Sequence, residues 1–335
     1  MRSSALKVNK RAINAAVART MAGGLFPSDS NRLISLVPPS GKLAAYRKFY
    51  NKLEAGLLKA SGVNRSDLAT MRAAYQAEMQ KVLRQKKTEA VKRSASISRT
   101  INTPLKYWWK GGGASRVNPG MLIDPNVELL DQADFITPSR GLATFKASMA
   151  PGNNVVKFTA NYESPDNDTD KVTYIFIWQN LSKNAPAVVD VSTYLSFTGF
   201  CDVFADFGGD FYWGTEGFGW GSYTSDLYMR ADLSLLEGWN NYSTQPVFQS
   251  SQRGPWFVSL RANGGGLFGL GQYKPSLPGG MQDLSYSQFT VPPQGQVLIL
   301  VTLHLAHFTN GGYIEVDFAK GDFQLMCPGV GITPH

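Results

Sequence analysis

Residues 297–308 read VLILVTLHLAHF, a run in which only Thr302, His304 and His307 are not apolar. Pro292, Pro293 and Gly295 precede it, and Asn310, Gly311 and Gly312 follow. A short run rich in β-branched residues and bounded by breakers reads as a strand buried on both faces. It is far too short for a membrane helix. A strand with no wet face needs a second layer over it, so the chain around it is expected to form stacked sheets.

The same composition recurs on either side. Strands are expected at Thr144 to Met149, Val155 to Tyr162, Val172 to Asn180, Val188 to Phe197, Leu227 to Leu233, Trp256 to Arg261, Ser285 to Val291, Tyr313 to Phe318 and Phe323 to Met326, each separated from the next by Gly, Pro, Asn or Asp. Tyr174 to Trp178 is a second stretch apolar on both faces. So many short strands in residues 117–335 predict an all-β sandwich, most simply a jelly roll with elaborated loops. Asn310, Gly311 and Gly312 read as the turn of a hairpin, and Pro125 to Gln132 as a short helical turn. Asp202 to Ser225 reads as a long connection. Its Phe207, Phe211, Tyr212, Trp213, Phe218, Trp220 and Tyr223 either form an interface or ligand surface or fold over the end of the sandwich.

The N-terminal part has a different chemistry. Residues 1–116 carry 23 Lys/Arg against 5 Asp/Glu and the other 219 carry 10 against 20, so an arm of +18 precedes a body of −10, summing to the +8 of the chain. Apolar residues at spacings of three and four predict helices at about 4–21, 42–60 and 66–91. In the last, Ser66 and Asp67 offer an N-cap, and Leu68, Met71, Tyr75, Met79 and Val82 form the apolar stripe. The second and third helices together read as a helical hairpin, whose apolar faces serve equally well for packing on each other or on the body.

Lys7, Lys10, Arg11, Arg19, Lys81, Arg84, Lys86, Lys87, Lys92, Arg93 and Arg99 are the candidate nucleic-acid contacts. Each phosphate they neutralise releases counterions, which gives affinity that ignores sequence and falls with salt. No base-reading module accompanies them: zinc-finger spacing, RRM aromatics and a basic fork on a heptad are all absent. Trp108 and Trp109, followed by Gly111 to Gly113, end the arm as an anchor and hinge, or as a base-stacking platform.

Catalysis finds little support, and the chain is not expected to be an enzyme. His304 and His307 stand three apart on a strand and so point to opposite faces. The third histidine, His335, is isolated in sequence. Cys201 and Cys327 have no nucleophile-base pattern around them and suit a reduced compartment. Gly264, Gly266 and Gly269 match G-x-G-x-x-G without the helix that a dinucleotide site needs. Asp166, Asp168 and Asp170 form a D-x-D-x-D candidate for Ca²⁺, although Lys171 and Ile177 exclude an EF-hand; a solvated turn is the competing reading. Asp202, Asp206 and Asp210 pose the same question. With neither a secretory leader nor a membrane span in the sequence, the sequons at Asn64, Asn167, Asn180 and Asn241 read as chance matches.

Basic arm, aromatic and glycine hinge, then a β-sandwich: in this order of parts the chain resembles the single-jelly-roll coat proteins of small non-enveloped icosahedral viruses, of the tombusvirus, sobemovirus and nodavirus type. The similarity is architectural and spans essentially the whole length. It implies self-assembly into a shell of about 180 copies, an arm that holds single-stranded viral nucleic acid, RNA before DNA, and no membrane partner. At that size the arms bring on the order of 3,000 net positive charges, comparable to a genome segment of a few thousand nucleotides. The resemblance also implies Ca²⁺ between subunits, for which Asp166, Asp168 and Asp170 are the candidates; Trp108, Trp109, Trp213 and Trp220 are the interface candidates that the residues themselves offer. Location would be the virion, after synthesis in the host cytoplasm, or in the nucleus for a DNA genome.

The arm departs from the family in being lysine-rich and helical instead of a compact Arg-rich tract. Little chain follows the last expected strand, so no separate protruding domain is expected. A rival reading from another class is a monomeric β-sandwich that binds carbohydrate through Trp213, Trp220 and Tyr223, with the arm as a basic tether.

Overall fold

The computed structural model describes residues 66–67, 70, 73–75, 77–92, 127–206, 209–214, 217–237, 248–264 and 271–335, with backbone alone at 209–214, 217–222 and 248–250. The expected helices at 4–21 and 42–60 and the Trp108/Trp109 hinge lie outside the described residues. Helix α1 occupies 77–92, inside the expected 66–91 helix, and the residues described between 66 and 75 are helical as well.

Seventeen strands follow among the described residues. They are β1 (Glu128–Leu130), β2 (Phe135–Pro138), β3 (Thr144–Ser148), β4 (Asn154–Glu163), β5 (Asp166–Gln179), β6 (Ala187–Thr198), β7 (Phe200–Ala205), β8 (Gly209–Gly214) and β9 (Gly217–Ser222), then β10 (Thr224–Glu237), β11 (Phe248–Asn263), β12 (Gln272–Ser276), β13 (Gly279–Val291), β14 (Gln296–Asn310), β15 (Gly312–Asp317), β16 (Gln324–Cys327) and β17 (Val330–Pro334). Each of the ten expected strands is among them. β1 stands where a helical turn was expected at Pro125 to Gln132; its backbone pairs with β17, from Glu128 opposite Ile332 to Leu130 opposite Val330. β8, β9 and most of β7 lie inside the stretch Asp202 to Ser225 expected to be one long connection.

Several strands are pieces of longer ribbons. β6 and β7 continue through Gly199, and β12 and β13 run antiparallel beside them on one side. On the other side β15 pairs with β7, while β16 and β17 pair with β6. Beyond these, β4 pairs with β15 and β16. One sheet therefore runs β4, β15 to β17, β6 to β7, β12 to β13, and the other β5, β14, β10, β11. The edge strands β3 and β2 extend them next to β4 and β5. Counting ribbons along the chain, the first sheet is ordered 1-8-3-6 and the second 2-7-4-5, with every pairing antiparallel. β8 and β9 form a separate hairpin.

The two sheets meet over a common core. On β4, Val156, Phe158, Ala160 and Tyr162 point inward, alternating with Lys157, Thr159 and Asn161. Phe158 stacks on Phe318 with ring centroids 5.0 Å apart. On β14, Val297, Ile299, Val301, Leu303 and Leu305 belong to this core, and each fully buried side chain of this size contributes roughly 1.5–3 kcal/mol. The opposite face of β14 is covered too, with Leu298, Leu300 and His304 all buried. This two-sided burial is what residues 297–303 predict.

The expected hairpin over Asn310, Gly311 and Gly312 does not form. β14 already has β10 and β5 on its two edges, so no edge is left for β15. The turn instead carries the chain across to the other sheet, fixed by hydrogen bonds from Asp206 N to Gly311 O and from Gly311 N to Ser164 Oγ. Cys201 and Cys327 are free and buried.

A basic helix docked on an acidic cradle

Helix α1 is built from strong helix formers, Ala77, Glu78, Met79, Gln80, Lys81, Leu83 and Arg84 among them. Its buried side differs from the expected stripe. Leu83 packs with Phe204 and Tyr273, with Met79 and Tyr313 beside them. One and two turns further on, Lys87 is half-buried and Ala90 packs against Phe200 and Phe323. Apart from Phe323, just before β16, the residues beneath the helix come from β7, β12 and β15, on the face of their sheet that points away from the core: Phe200, Asp202 and Phe204 alternate with Cys201, Val203 and Ala205, which point inward.

Lys87 corrects a sequence expectation. Grouped with the nucleic-acid contacts in the sequence, it is instead the polar centre of the docked face. Its ammonium pairs with Glu315 and, at 2.9 Å, with Asp317 Oδ2, and lies over the Phe200 ring. Burial pulls the Lys87 pKa down, but the bonds to Glu315 and Asp317 more than offset this and leave it raised. Burial alone would raise Asp317; the Ala319 N–H, Lys87 and the Lys320 N–H reverse that and hold it below its ordinary value. Asp202 lies across the ladder from Glu315. Its burial, with Glu315 close by, pushes it up to about 7. A recess of about 240 Å³ remains between helix and sheet, lined by Arg84, Lys87, Asp202, Tyr313 and Glu315 among others.

The opposite side of α1 is exposed and mostly basic. Lys81, Lys86 and Lys92 are exposed there, with Glu78 and Glu89 as the acidic exceptions, and Arg84, also exposed, stands at the border with the recess. Glu78 holds Lys81 at 3.6 Å in a pair with both side chains well exposed, an interaction worth little. The other candidate nucleic-acid residues, Lys7, Lys10, Arg11, Arg19, Arg93 and Arg99, lie outside the described residues.

No family model matches the chain, and no curated protein does. Similar solved structures include TmCBM61 in complex with beta-1,4-galactotriose (12% identity, 57% of this chain and 86% of that chain, TM-score 0.20). The CBM22-1 xylan-binding domain from Paenibacillus barcinonensis Xyn10C is another (11% identity, 60% and 94%, TM-score 0.18). A third is the mannan-recognising module TmCBM27 (12% identity, 60% and 96%, TM-score 0.17). Scores this low carry no weight for function.

The Ca²⁺ candidates fall on β5, where positions two apart share a face. Asp170 is buried and its carboxylate is taken up by protein donors: Ser139 Oγ, the Gly141 N–H and Tyr162 Oη. Asp166 faces His307, with Nε2 3.4 Å from Oδ2, and His307 stacks on Tyr162. Among the described residues no group of three or more His, Cys, Asp or Glu is placed to hold a metal ion. His304 points to the other face of β14, as its spacing from His307 requires, and pairs with Asp232 at 3.1 Å next to Arg230. In the β8–β9 hairpin, Trp213 is registered opposite Phe218 and Trp220 opposite Phe211.

Sequence reasoning missed the acidic cradle. The signal was present in residues 313–317, where Tyr313, Glu315 and Asp317 alternate with Ile314 and Val316. A strand on the solvent side of a sheet has that pattern, so only the three-dimensional arrangement shows that a cation lies over it.

Proposed function

We propose that the chain is a structural coat protein, whose sandwich is a jelly roll that assembles into a shell and whose basic arm holds single-stranded nucleic acid inside it. The observation that carries this reading is the docking of α1. A helix from the +18 arm lies on one sheet of the −10 body and turns its exposed lysines Lys81, Lys86 and Lys92 outward. The winding supports it as well: ribbon orders 1-8-3-6 and 2-7-4-5 are those of an eight-stranded jelly roll.

Light scattering and electron microscopy of the purified full-length protein test the assembly. The expected result is closed particles in the megadalton range that contain nucleic acid. A monodisperse species of 36.7 kDa would reject the reading. Removal of residues 1–100 is expected to leave particles that are empty or filled at random.

A second reading, a carbohydrate-binding sandwich with a basic tether, has one observation in its favour. Trp256 on β11 is 44% exposed, beside Tyr228 and under the Arg230 guanidinium. A half-open indole of this kind suits the flat face of a sugar ring. Saturable binding of a soluble oligosaccharide by the monomer, abolished in Trp256→Ala, would favour it over the shell.

A further inference from the structure

We propose that the docking of α1 is a proton-linked latch, in which Lys87 closes onto a cradle of three carboxylates, Asp202, Glu315 and Asp317, and the helix lifts as Asp202 ionises. The latch is a property of the single chain and does not require the coat-protein reading.

One ammonium group cannot neutralise three carboxylates. Asp317 is satisfied by Lys87 and by the N–H groups of Ala319 and Lys320, at 2.9 and 3.0 Å. Glu315 also pairs with Lys87. Asp202 is the remaining carboxylate. It is 2% exposed; it accepts from the Glu315 N–H, and its Oδ1 accepts no hydrogen bond among the described residues. The groups facing it are Arg84 and Lys87 from α1, Tyr313 and Glu315 from β15 with Asp317 beyond, and Tyr273 from β12, which Asp206 also approaches. Among the described residues Lys87 is the only cation that acts on it, and it is already bonded to Glu315 and Asp317. A charged Asp202 under the helix is therefore both desolvated and repelled.

The helix itself supplies much of that desolvation, because its Leu83, Arg84 and Lys87 roof the recess in which Asp202 sits. With α1 lifted, Asp202 returns to water and toward an ordinary carboxylate. Docking thus takes up a proton near neutrality. The sign follows: the docked form binds the proton more tightly, so docking is strongest in mild acid and weakens as pH rises through about 7. The apolar part of the docked face is small, with Leu83 and Ala90 the only buried α1 residues among those described, so a modest electrostatic change can move the equilibrium.

Hydrogen exchange of the full-length chain tests this, with protection factors for amides in 77–92 compared with those in β14. Between pH 6 and 8.5 the α1 protection factors are expected to fall about tenfold, which is what a carboxylate titrating near 7 only when docked gives, while β14 stays constant. Asp202→Asn is expected to hold α1 protection within twofold over the same range. Lys87→Met is expected to lower α1 protection at both pH values and leave β14 unchanged. A flat wild-type profile, a tenfold fall that survives Asp202→Asn, or undiminished α1 protection in Lys87→Met would each overturn the latch.

Discussion

Tyr162 Oη donates a 2.7 Å hydrogen bond to Asp170 Oδ2, tying β4 of one sheet to β5 of the other at one end of the sandwich. The same carboxylate accepts from Ser139 Oγ and the Gly141 N–H. Asp170→Ala strands all three donors and is expected to cost about 2–4 kcal/mol. Tyr162→Phe removes one donor and keeps the ring packing on His307, so about 1–2 kcal/mol is expected. Because both changes act on one bond, the double variant should fall short of the sum. Urea midpoints of the three variants give the comparison.

Gly311 and Gly152 separate two causes of glycine dependence. Both have positive φ, +77° and +68°, where a side chain is strained. A Cβ at Gly311 would also lie 2.1 Å from Tyr223 Cγ, whereas at Gly152 it would meet nothing within 4 Å. Gly152→Ala is expected to cost about 1 kcal/mol from backbone strain alone. Gly311→Ala is expected to cost at least about twice that, since either Tyr223 or the crossover between sheets has to move. Thermal or urea unfolding of the two variants is the check.

The strands were legible in the sequence wherever a residue run had to satisfy a buried face. Val156, Phe158, Ala160 and Tyr162 fix both the existence and the facing of β4, and residues 297–303 fix the two-sided burial of β14. What escaped were strands whose partners decide them. β1 and β17 are short and pair with each other and with β6, so neither has a periodicity of its own long enough to read. The crossover after Asn310 failed for the same reason: Asn-Gly-Gly specifies a tight turn but says nothing about whether the preceding strand has a free edge. In the candidate site, the helical period located α1, but the charge of Lys87 suggested a solvent face. A lysine with a four-carbon stem can lie along an apolar surface and still reach an acid, and Glu315 lies 228 residues away in sequence.

His304 gives a pH dependence with a definite sign. Burial lowers its pKa below the ordinary 6.5, against the opposing pull of Asp232. The folded chain therefore takes up this proton less readily than the unfolded chain. Its contribution is complete above about pH 6.5 and is lost as pH falls below that value. His304→Gln removes this contribution, so the gap in unfolding free energy between wild type and variant is expected to shrink toward acid, by at most about 1.4 kcal/mol per pH unit. Taking the difference between the two proteins cancels the opposite trend from Asp202. A gap constant from about pH 8 to 5.5 would show that the buried imidazole is not the titrating group.

Replacing the exposed residues Lys81, Arg84, Lys86 and Lys92 together by Gln separates the two sides of α1. All four side chains are exposed, Arg84 at the edge of the recess over Asp202, so the quadruple variant is expected to unfold within about 1 kcal/mol of wild type. Its affinity for single-stranded RNA should fall, and the slope of log affinity against log salt should flatten by about 0.7 for each phosphate partner removed, nearly 3 if all four bind phosphate. Lys87→Gln should do the reverse. It breaks the pairs with Glu315 and Asp317 and loosens the helix, yet removes no outward-facing charge, so its salt slope should stay near that of wild type. Filter binding across roughly 50–300 mM salt distinguishes the two. Equal slopes in wild type and the quadruple variant would mean that the outward face of α1 is a solvated surface and that the arm holds nucleic acid elsewhere.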